Sequence, residues 1–171
     1  MTLTLDGLNA LPPGQAAELL RACCGSSRWT EAMLARRPFE STTGLLEAAD
    51  DAWRATGPED WDEAFAHHPR IGERHAAVPV SATAGAWSSA EQGAGAGAAA
   101  GAALAEANQA YERRFGRIYI VCAVGRSAEQ MLADIAARMK NDPERERAIA
   151  AEEQRKITRL RLKTLIGARE P

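Results

Sequence analysis

The sequence predicts an all-α fold, a single-domain bundle of about eight helices over residues 1–171. Apolar residues recur at spacings of three and four along most of the chain, which is the period of a helix with one buried face. Proline, glycine and capping residues separate these stretches. Only one β-branched run is present, and no second run offers it a partner strand.

Length and composition are typical of one soluble domain, with 171 residues and a formal net charge of −2. The charge is not concentrated into a basic face, so no nucleic-acid partner is expected. No apolar run is long enough to span a bilayer, and Met1 to Asp6 lacks the features of a signal peptide. The three cysteines, Cys23, Cys24 and Cys122, are expected to be reduced and mostly buried in a cytoplasmic protein.

Four helices are predicted before residue 67, each bounded by breakers or caps. They run from Pro12-Pro13 to Gly25, from Ser27 as N-cap to Pro38, from Thr43 to Gly57-Pro58, and from Glu59 to Ala66. Their predicted buried residues are Ala16, Leu19, Leu20 and Cys23, then Trp29, Met33 and Leu34, then Leu45, Leu46, Ala49 and Trp53, then Trp61 and Phe65.

The middle of the chain combines a loop and a long helix. Glu73 to Ala86 has no period and is predicted to be a loop, either functional or mobile, and its role as a lid is left open. Ser88 opens a helix that continues through the alanine- and glycine-rich tract Gly93 to Ala103 as far as Phe115. Gly116 ends that helix.

The apolar run from Arg117 to Gly125 resembles a buried strand without a partner. We interpret it as a buried extended or irregular-helical segment whose backbone donors are available to a ligand. Two helices follow it. Ser127 to Gln130 fits a capping box, and Asn141-Asp142-Pro143 fits a turn, an N-cap and a first helical residue. The predicted buried residues are Met131, Leu132, Ile135 and Met139 on the first, and Ile149, Ile157, Leu160 and Thr164 on the last, which ends near Ile166.

The stretch His67-His68-Pro69-Arg70-Ile71-Gly72 is the strongest candidate for chemistry. Proline excludes the α conformation from the residue before it, so a helix should end here in a tight turn that holds His68 at a fixed point. Histidine serves readily as acid and base near neutral pH. The alternative is that His67 and His68 only complete a helix, where cations suit the dipole. A role for His67 is left open.

Ser88, Glu91 and Gln92 lie at a predicted helix start, where free N–H groups favour an anionic ligand. The same spacing is also an ordinary capping box. Arg159 and Arg161 are two residues apart on the last helix and face different directions, so one can turn inward while the other is solvated. Which arginine does so is left open.

Metal and nucleophile chemistry is not expected. His67, His68 and His75 with Glu73 match no standard zinc spacing. Cys122 sits in an apolar run, which disfavours a reactive thiolate. No nucleophile elbow, phosphate loop or dinucleotide fingerprint is present.

Six segments along the chain carry a resemblance to one known family. They are, in order, Phe39-Glu40-Ser41, His68-Pro69-Arg70-Ile71-Gly72, Trp87-Ser88-Ser89-Ala90-Glu91-Gln92, Asn108 to Gly116, Tyr119-Ile120-Val121-Cys122-Ala123, and Lys156 to Leu162. Taken together, these segments resemble the 2-oxo-4-hydroxy-4-carboxy-5-ureidoimidazoline (OHCU) decarboxylases, which catalyse the last step of urate-to-allantoin conversion in purine catabolism. The departure from the family is the alanine/glycine tract at Gly93 to Ala103.

The resemblance implies an all-α homodimer that needs no cofactor or metal and converts its small-molecule substrate to (S)-allantoin and CO₂. It implies that His68 is the catalytic acid/base and that Glu91 assists it. The implied substrate-binding residues are Pro69, Ser88, Gln92, Tyr119, Ile120, Val121, Cys122, Ala123 and Arg161.

Two alternatives follow from the residues. A non-catalytic helical domain that binds a ligand or a partner protein would tolerate loss of His68. A metal-dependent hydrolase using His67, His68 and His75 would lose activity on chelation.

Overall fold

The computed structural model describes residues 3–69 and 98–168. Within these ranges the regular secondary structure is helical, which confirms the all-α prediction. The predicted loop and the start of the long helix lie outside the described residues, as do His75, Ser88, Glu91 and Gln92. The described helices are α1 (Leu5–Ala10), α2 (Pro13–Cys23), α3 (Ser27–Ala35), α4 (Thr42–Arg54), α5 (Pro58–Ala66), α6 (Ala98–Phe115), α7 (Ala128–Arg138) and α8 (Pro143–Leu165).

The chain divides into two compact units. The first comprises residues up to Ala64 together with those from Arg155 onward, and the second comprises Phe65–Gln154. Both α5 and α8 therefore contribute residues to each unit. The assignment of residues 1–171 to one domain stays a prediction.

The first unit is built on the apolar faces of α1 to α4. Trp29 is fully buried, and its indole N–H donates to the Ala49 carbonyl at 3.0 Å, which ties α3 to α4. Asn9 clamps the start of the Phe39-Glu40-Ser41 motif, because its amide donates to the Phe39 carbonyl at 2.8 Å and accepts from the Phe39 N–H at 2.9 Å. The predicted core residues Leu20, Met33, Leu45, Leu46 and Trp53 are buried, whereas Leu34 is only half-buried.

Two helix starts differ from the predictions. The N-cap of α3 is Ser26, whose hydroxyl accepts the Trp29 N–H at 3.2 Å, because Ser27 turns instead toward Glu63. The helix predicted to open at Thr43 is capped by Ser41, whose hydroxyl accepts the Gly44 N–H. The short α1 was not predicted.

The core of the second unit joins α6, α7 and the segment between them. Tyr111 and Tyr119 meet edge to face with ring centroids 5.5 Å apart, and Phe115 packs 4.7 Å from Tyr111. Gly116 adopts a φ of 70°, a left-handed conformation that suits glycine and ends α6 as predicted. The capping box Ser127 to Gln130 is present and starts α7.

The buried face of α8 was predicted incorrectly. Of the four residues expected on it, only Ile157 is buried, and Thr164 is exposed. The start was predicted correctly, because Asp142 accepts the Arg145 N–H at 3.0 Å and Pro143 is the first helical residue. A search for apolar spacing misses this face because many of its buried residues are polar, namely Glu146, Glu153, Gln154, Thr158 and Arg161.

Candidate active site

The turn after α5 has the conformation that the sequence predicts. The helix ends at Ala66, and the His68 backbone N–H donates to the Phe65 carbonyl at 3.1 Å. The described chain then reaches Pro69, which fixes its own φ and restricts His68. Both histidines are half-buried, so the His68 ring is partly withdrawn from water.

Gln154 is a hydrogen-bond partner of the His68 ring. The ring Nε2 lies 2.7 Å from the Gln154 Oε1, and the glutamine side chain is fully buried on α8. An amide oxygen can only accept, so this contact is a hydrogen bond when the Nε2 of the imidazole carries a hydrogen. Sequence reasoning missed Gln154, because a glutamine 86 positions away along the chain carries no local signal.

The segment from Tyr119 to Ala123 forms no regular secondary structure and is largely buried, which confirms its predicted burial, whereas its extended conformation stays a prediction. Side chains from three helices take the place of a partner strand. The Tyr119 N–H donates to Asn108 Oδ1 at 2.9 Å, and the Cys122 N–H donates to Glu153 Oε2 at 2.8 Å. Arg138 donates to the Ile120 carbonyl at 2.8 Å.

The prediction that this segment offers its backbone donors to a ligand is therefore wrong for two amides. The Tyr119 and Cys122 N–H groups are already bonded to protein oxygens, because a buried segment must satisfy its polar groups within the fold. The segment is thereby held at defined points along its length.

A network of buried charged and polar side chains packs against the segment from Tyr119 to Ala123. Arg138 pairs with Glu146 at 2.6 Å, and its guanidinium lies 4.8 Å from the centre of the Tyr119 ring. The Tyr111 hydroxyl donates to Glu146 at 2.5 Å, and the Tyr119 hydroxyl donates to Asp134. Glu146 is fully buried, so the network neutralises a carboxylate that water cannot reach.

The pKa values within the network follow from burial and these bonds. Burial raises the pKa of both Tyr111 and Tyr119, and donation to a carboxylate raises each further. For Arg138, burial acts to lower the pKa, but the bond to Glu146 together with the electrostatic interactions of Arg138 with Tyr111, Glu146 and Tyr119 outweighs burial, and the net pKa is raised. Both tyrosines therefore stay neutral and Arg138 stays charged, which suits a structural network.

Glu153 is a second anchor for the segment from Tyr119 to Ala123. Its Oε2 accepts the Cys122 N–H and lies 3.7 Å from an Arg126 guanidinium nitrogen. The side chain of Glu153 is only 8 % exposed, so its carboxylate needs partners within the protein. The Arg126 guanidinium and the Cys122 N–H dipole both stabilise its negative charge. Like Gln154, it lies on the polar face of α8 that the apolar pattern did not reveal.

The two arginines near the end of α8 have different surroundings within the first unit. Arg159 pairs with Asp50 at 2.7 Å and donates to the Leu46 carbonyl at 3.4 Å. Arg161 is 3 % exposed and donates to the Ala22 carbonyl at 3.4 Å. Arg161 is thus the arginine turned into its unit, but its contact with a substrate stays a prediction.

The cysteines are free thiols, as predicted, with Cys23 and Cys24 buried and Cys122 half-buried. Burial raises the pKa of Cys24 to about 11, so its thiol stays protonated near neutral pH. In residues 3–69 and 98–168, no three His, Cys, Asp or Glu side chains come together as a metal site. No helix in the same ranges is long and apolar enough to cross a membrane.

The geometry brings together part of the predicted site. Within the second unit, α8 holds both the His68 ring, through Gln154, and the segment from Tyr119 to Ala123, through Glu153. Fold and site together define an all-α protein with a histidine-centred polar site, a class suited to acid–base chemistry.

The chain belongs to the OHCU decarboxylase family, whose model matches residues 9–163. Among curated proteins, it is 38 % identical over 157 residues to the uric acid degradation bifunctional protein TTL of Arabidopsis thaliana, covering 86 % of this chain and 46 % of that protein. It is 41 % identical over 59 residues to the 2-oxo-4-hydroxy-4-carboxy-5-ureidoimidazoline decarboxylase of Amia calva, covering 34 % of each. The chain thus spans less than half the length of these curated relatives.

Two solved structures resemble the fold. The crystal structure of OHCU decarboxylase in the presence of (S)-allantoin superimposes with a TM-score of 0.72 at 35 % identity, covering 86 % of this chain and 96 % of that one. The crystal structure of (S)-allantoin synthase superimposes with a TM-score of 0.68 at 20 % identity, covering 96 % of this chain and 54 % of that one. The second likeness concerns the fold alone.

Proposed function

We propose that this chain decarboxylates OHCU to (S)-allantoin and CO₂ in urate degradation, without a cofactor. The observation that carries the proposal is the family match over residues 9–163, which includes the turn at His68, the segment from Tyr119 to Ala123 and nearly all of α8. The similarity to the crystal structure of OHCU decarboxylase in the presence of (S)-allantoin supports the same substrate class.

The reaction requires the protein to manage one electron pair and several protons. The bond between the ring and the carboxylate breaks, CO₂ leaves, and the electron pair passes through an enolate-like anion to the nitrogen of the ring C=N bond, which takes up one proton. The neighbouring hydroxyl loses its proton to become a carbonyl, and a proton is added at the carbon that bears the ureido group. Addition of that proton from one face sets the configuration of the allantoin.

His68 is proposed to exchange these protons. Its ring is half-buried and held by a neutral amide, which supports an imidazole able to accept and return a proton. Glu91, which lies outside the described residues, is proposed to assist His68 in polarising the substrate. A carboxylate that enters such a partly apolar site loses hydration, which favours its departure as neutral CO₂.

The remaining predicted residues are proposed to bind the substrate. Pro69 and the segment from Tyr119 to Ala123 are expected to line the pocket, and the anchoring of that segment by three helices supports a preformed wall. Arg161 is expected to pair with an anionic group, and Ser88 and Gln92 to hydrogen-bond the substrate.

The test is to generate OHCU from urate in situ and to follow the optical rotation of the allantoin formed. Wild-type protein should produce (S)-allantoin faster than the spontaneous reaction, which forms a racemate. His68→Asn removes the proton carrier and should lower kcat by about 100-fold or more. The matched control is His67→Asn in the same turn, which should retain kcat within about threefold.

A non-catalytic binding domain would leave the racemic background unchanged. That outcome, or wild-type turnover by His68→Asn with its circular dichroism intact, would contradict the proposal. Activity that survives exhaustive chelation would support the expected independence from metals and argue against the hydrolase alternative.

Assembly and location are also proposed. A homodimer is expected from the family and is tested by sedimentation velocity at micromolar concentration. A cytoplasmic location is supported by the three free thiols.

A further inference from the structure

We propose that Gln154 is a positioning residue that fixes His68 as the Nε2–H tautomer, so that Nδ1 is the ring nitrogen that exchanges the proton with the substrate. The inference rests on the proposed decarboxylase function, but its first part concerns the resting protein alone. It assigns a role to a residue that never needs to touch the substrate.

The contact is a specific one. Gln154 is fully buried in the middle of α8, and its Oε1 lies 2.7 Å from the His68 Nε2. A buried side-chain amide costs free energy unless its polar atoms are bonded, so packing alone would favour an apolar side chain here. The hydrogen bond to His68 therefore accounts for a polar side chain at this buried position.

Its oxygen selects between the two neutral forms of the ring. A neutral imidazole carries one hydrogen, on either Nδ1 or Nε2. With the hydrogen on Nε2, the contact with Oε1 is a hydrogen bond. With the hydrogen on Nδ1, two lone pairs would oppose each other at 2.7 Å. The Nε2–H tautomer is thus favoured, and the basic lone pair lies on Nδ1.

The neutrality of the amide matters as much as its oxygen. When Nδ1 takes a proton, Nε2 still donates to Oε1, so the bond is kept in both states of the ring. A carboxylate in the same place would add a charge that favours the imidazolium and would oppose return of the proton. The adjacent Glu153 carries such a charge, but it bonds the Cys122 N–H and faces Arg126 instead.

The two consecutive residues therefore have separate positioning roles within the second unit. Gln154 holds the ring that transfers the proton, and Glu153 holds the segment proposed to line the pocket. Because both side chains leave one rigid helix, their spacing is set by helix geometry and not by a loop.

The first test needs no turnover. The ¹⁵N spectrum of the imidazoles contains signals from three histidines, and the His68 pair is assigned by its loss in His68→Asn. Above the pH at which the ring is neutral, wild-type His68 should show a protonated Nε2 and an unprotonated Nδ1. A predominantly Nδ1–H ring would overturn the proposal.

The second test compares three variants. Gln154→Met keeps the length and volume but lacks an acceptor, so His68 should become a mixture of tautomers. Its kcat should fall by about 10-fold or more, with KM changed less than about threefold, because the group lost acts on proton transfer. Gln109→Met makes the same change on the exposed face of α6 and should leave both values unaltered.

Gln154→Glu keeps the acceptor and should keep the Nε2–H, while its charge favours the doubly protonated ring. Compared with Gln154→Met, this variant should therefore recover the Nε2–H form of the neutral His68 ring, whereas its kcat should remain low. If Gln154→Met does not fold, the wild-type spectrum and Gln154→Glu still decide the proposal. Tautomer loss with unchanged kcat would overturn it. Correct tautomers in a protein with no decarboxylase activity would support the role of Gln154 and overturn only the proposed function.

Discussion

At the scale of single residues, the second unit depends on buried polar side chains that each satisfy a specific partner. Glu146 is fully buried and bonds Arg138, Tyr111 and Asn141. Arg138 in turn bonds the Ile120 carbonyl, so one buried ion pair connects the core to the segment from Tyr119 to Ala123. Replacing such a pair with apolar residues is often tolerated, whereas removing one partner leaves a buried charge.

Glu146→Gln should therefore destabilise the protein by about 3 kcal/mol, because Arg138 keeps its charge and loses the nearer of its two described counter-ions, Glu146 at 2.6 Å and Asp134 at 3.5 Å. Urea unfolding followed by circular dichroism measures the change. The control is Glu144→Gln in the exposed first turn of α8, which should cost less than about 1 kcal/mol. Equal effects of the two substitutions would contradict the view that burial makes the pair costly to break.

At the scale of elements, the segment from Tyr119 to Ala123 shows how a buried apolar run without regular secondary structure is accommodated in a helical fold. Its neighbours α6, α7 and α8 each provide one side chain that bonds its backbone. The segment is thus held by long-range contacts, although its apolar run alone would suit a sheet. An element of this kind can present a fixed wall to a ligand while lying outside any regular hydrogen-bond ladder.

Asn108→Ala should loosen this segment by removing the acceptor of the buried Tyr119 N–H. An unsatisfied buried amide costs about 1–3 kcal/mol, so the exchange of the Tyr119 amide hydrogen should accelerate by about 5- to 100-fold. Amide exchange followed by NMR measures this directly. Gln109→Ala, at the next and exposed position of α6, should leave that amide as protected as in wild type. Unchanged protection in Asn108→Ala would show that the bond does not hold the segment.

At the scale of the whole molecule, titrating groups set the pH range of stability. Bonds from the Ser27 hydroxyl, the Ser27 N–H and Arg21 lower the pKa of Glu63 below its ordinary 4.5, although burial acts to raise it. A carboxylate with a lowered folded pKa stabilises the fold above its unfolded pKa and loses that effect as pH falls. The raised pKa of Cys24 acts in the opposite direction, and its contribution is lost between 9.0 and about 11.

The free energy of unfolding should therefore be nearly constant between about pH 5 and 9 and should decline on either side. Denaturant titrations at a series of pH values measure the profile. Glu63→Gln should reduce the acid slope, whereas Glu59→Gln, in the exposed first turn of α5, should leave it unchanged. If Glu63→Gln does not change how steeply the free energy of unfolding falls below about pH 5, Glu63 is not a cause of that loss of stability.

Local signals in the sequence were enough to predict the helical class, most of the helix boundaries and the turn at His68. These are local properties, since caps, proline, glycine and apolar spacing act within a few residues. Errors at the helix starts were small, such as Ser27 for Ser26, because neighbouring serines compete for one cap. The family resemblance further supplied the roles proposed for His68 and the segment from Tyr119 to Ala123.

The hydrogen-bond partners of His68 and of the segment from Tyr119 to Ala123 became known from the folded structure. The partners Asn108, Arg138, Glu153 and Gln154 lie 11 to 86 positions from the groups that they bond. A buried polar residue has the same local pattern as a solvated one, so apolar spacing misassigned the inner face of α8. Which polar side chains turn inward depends on partners from other elements, and those partners are defined only when the chain has folded.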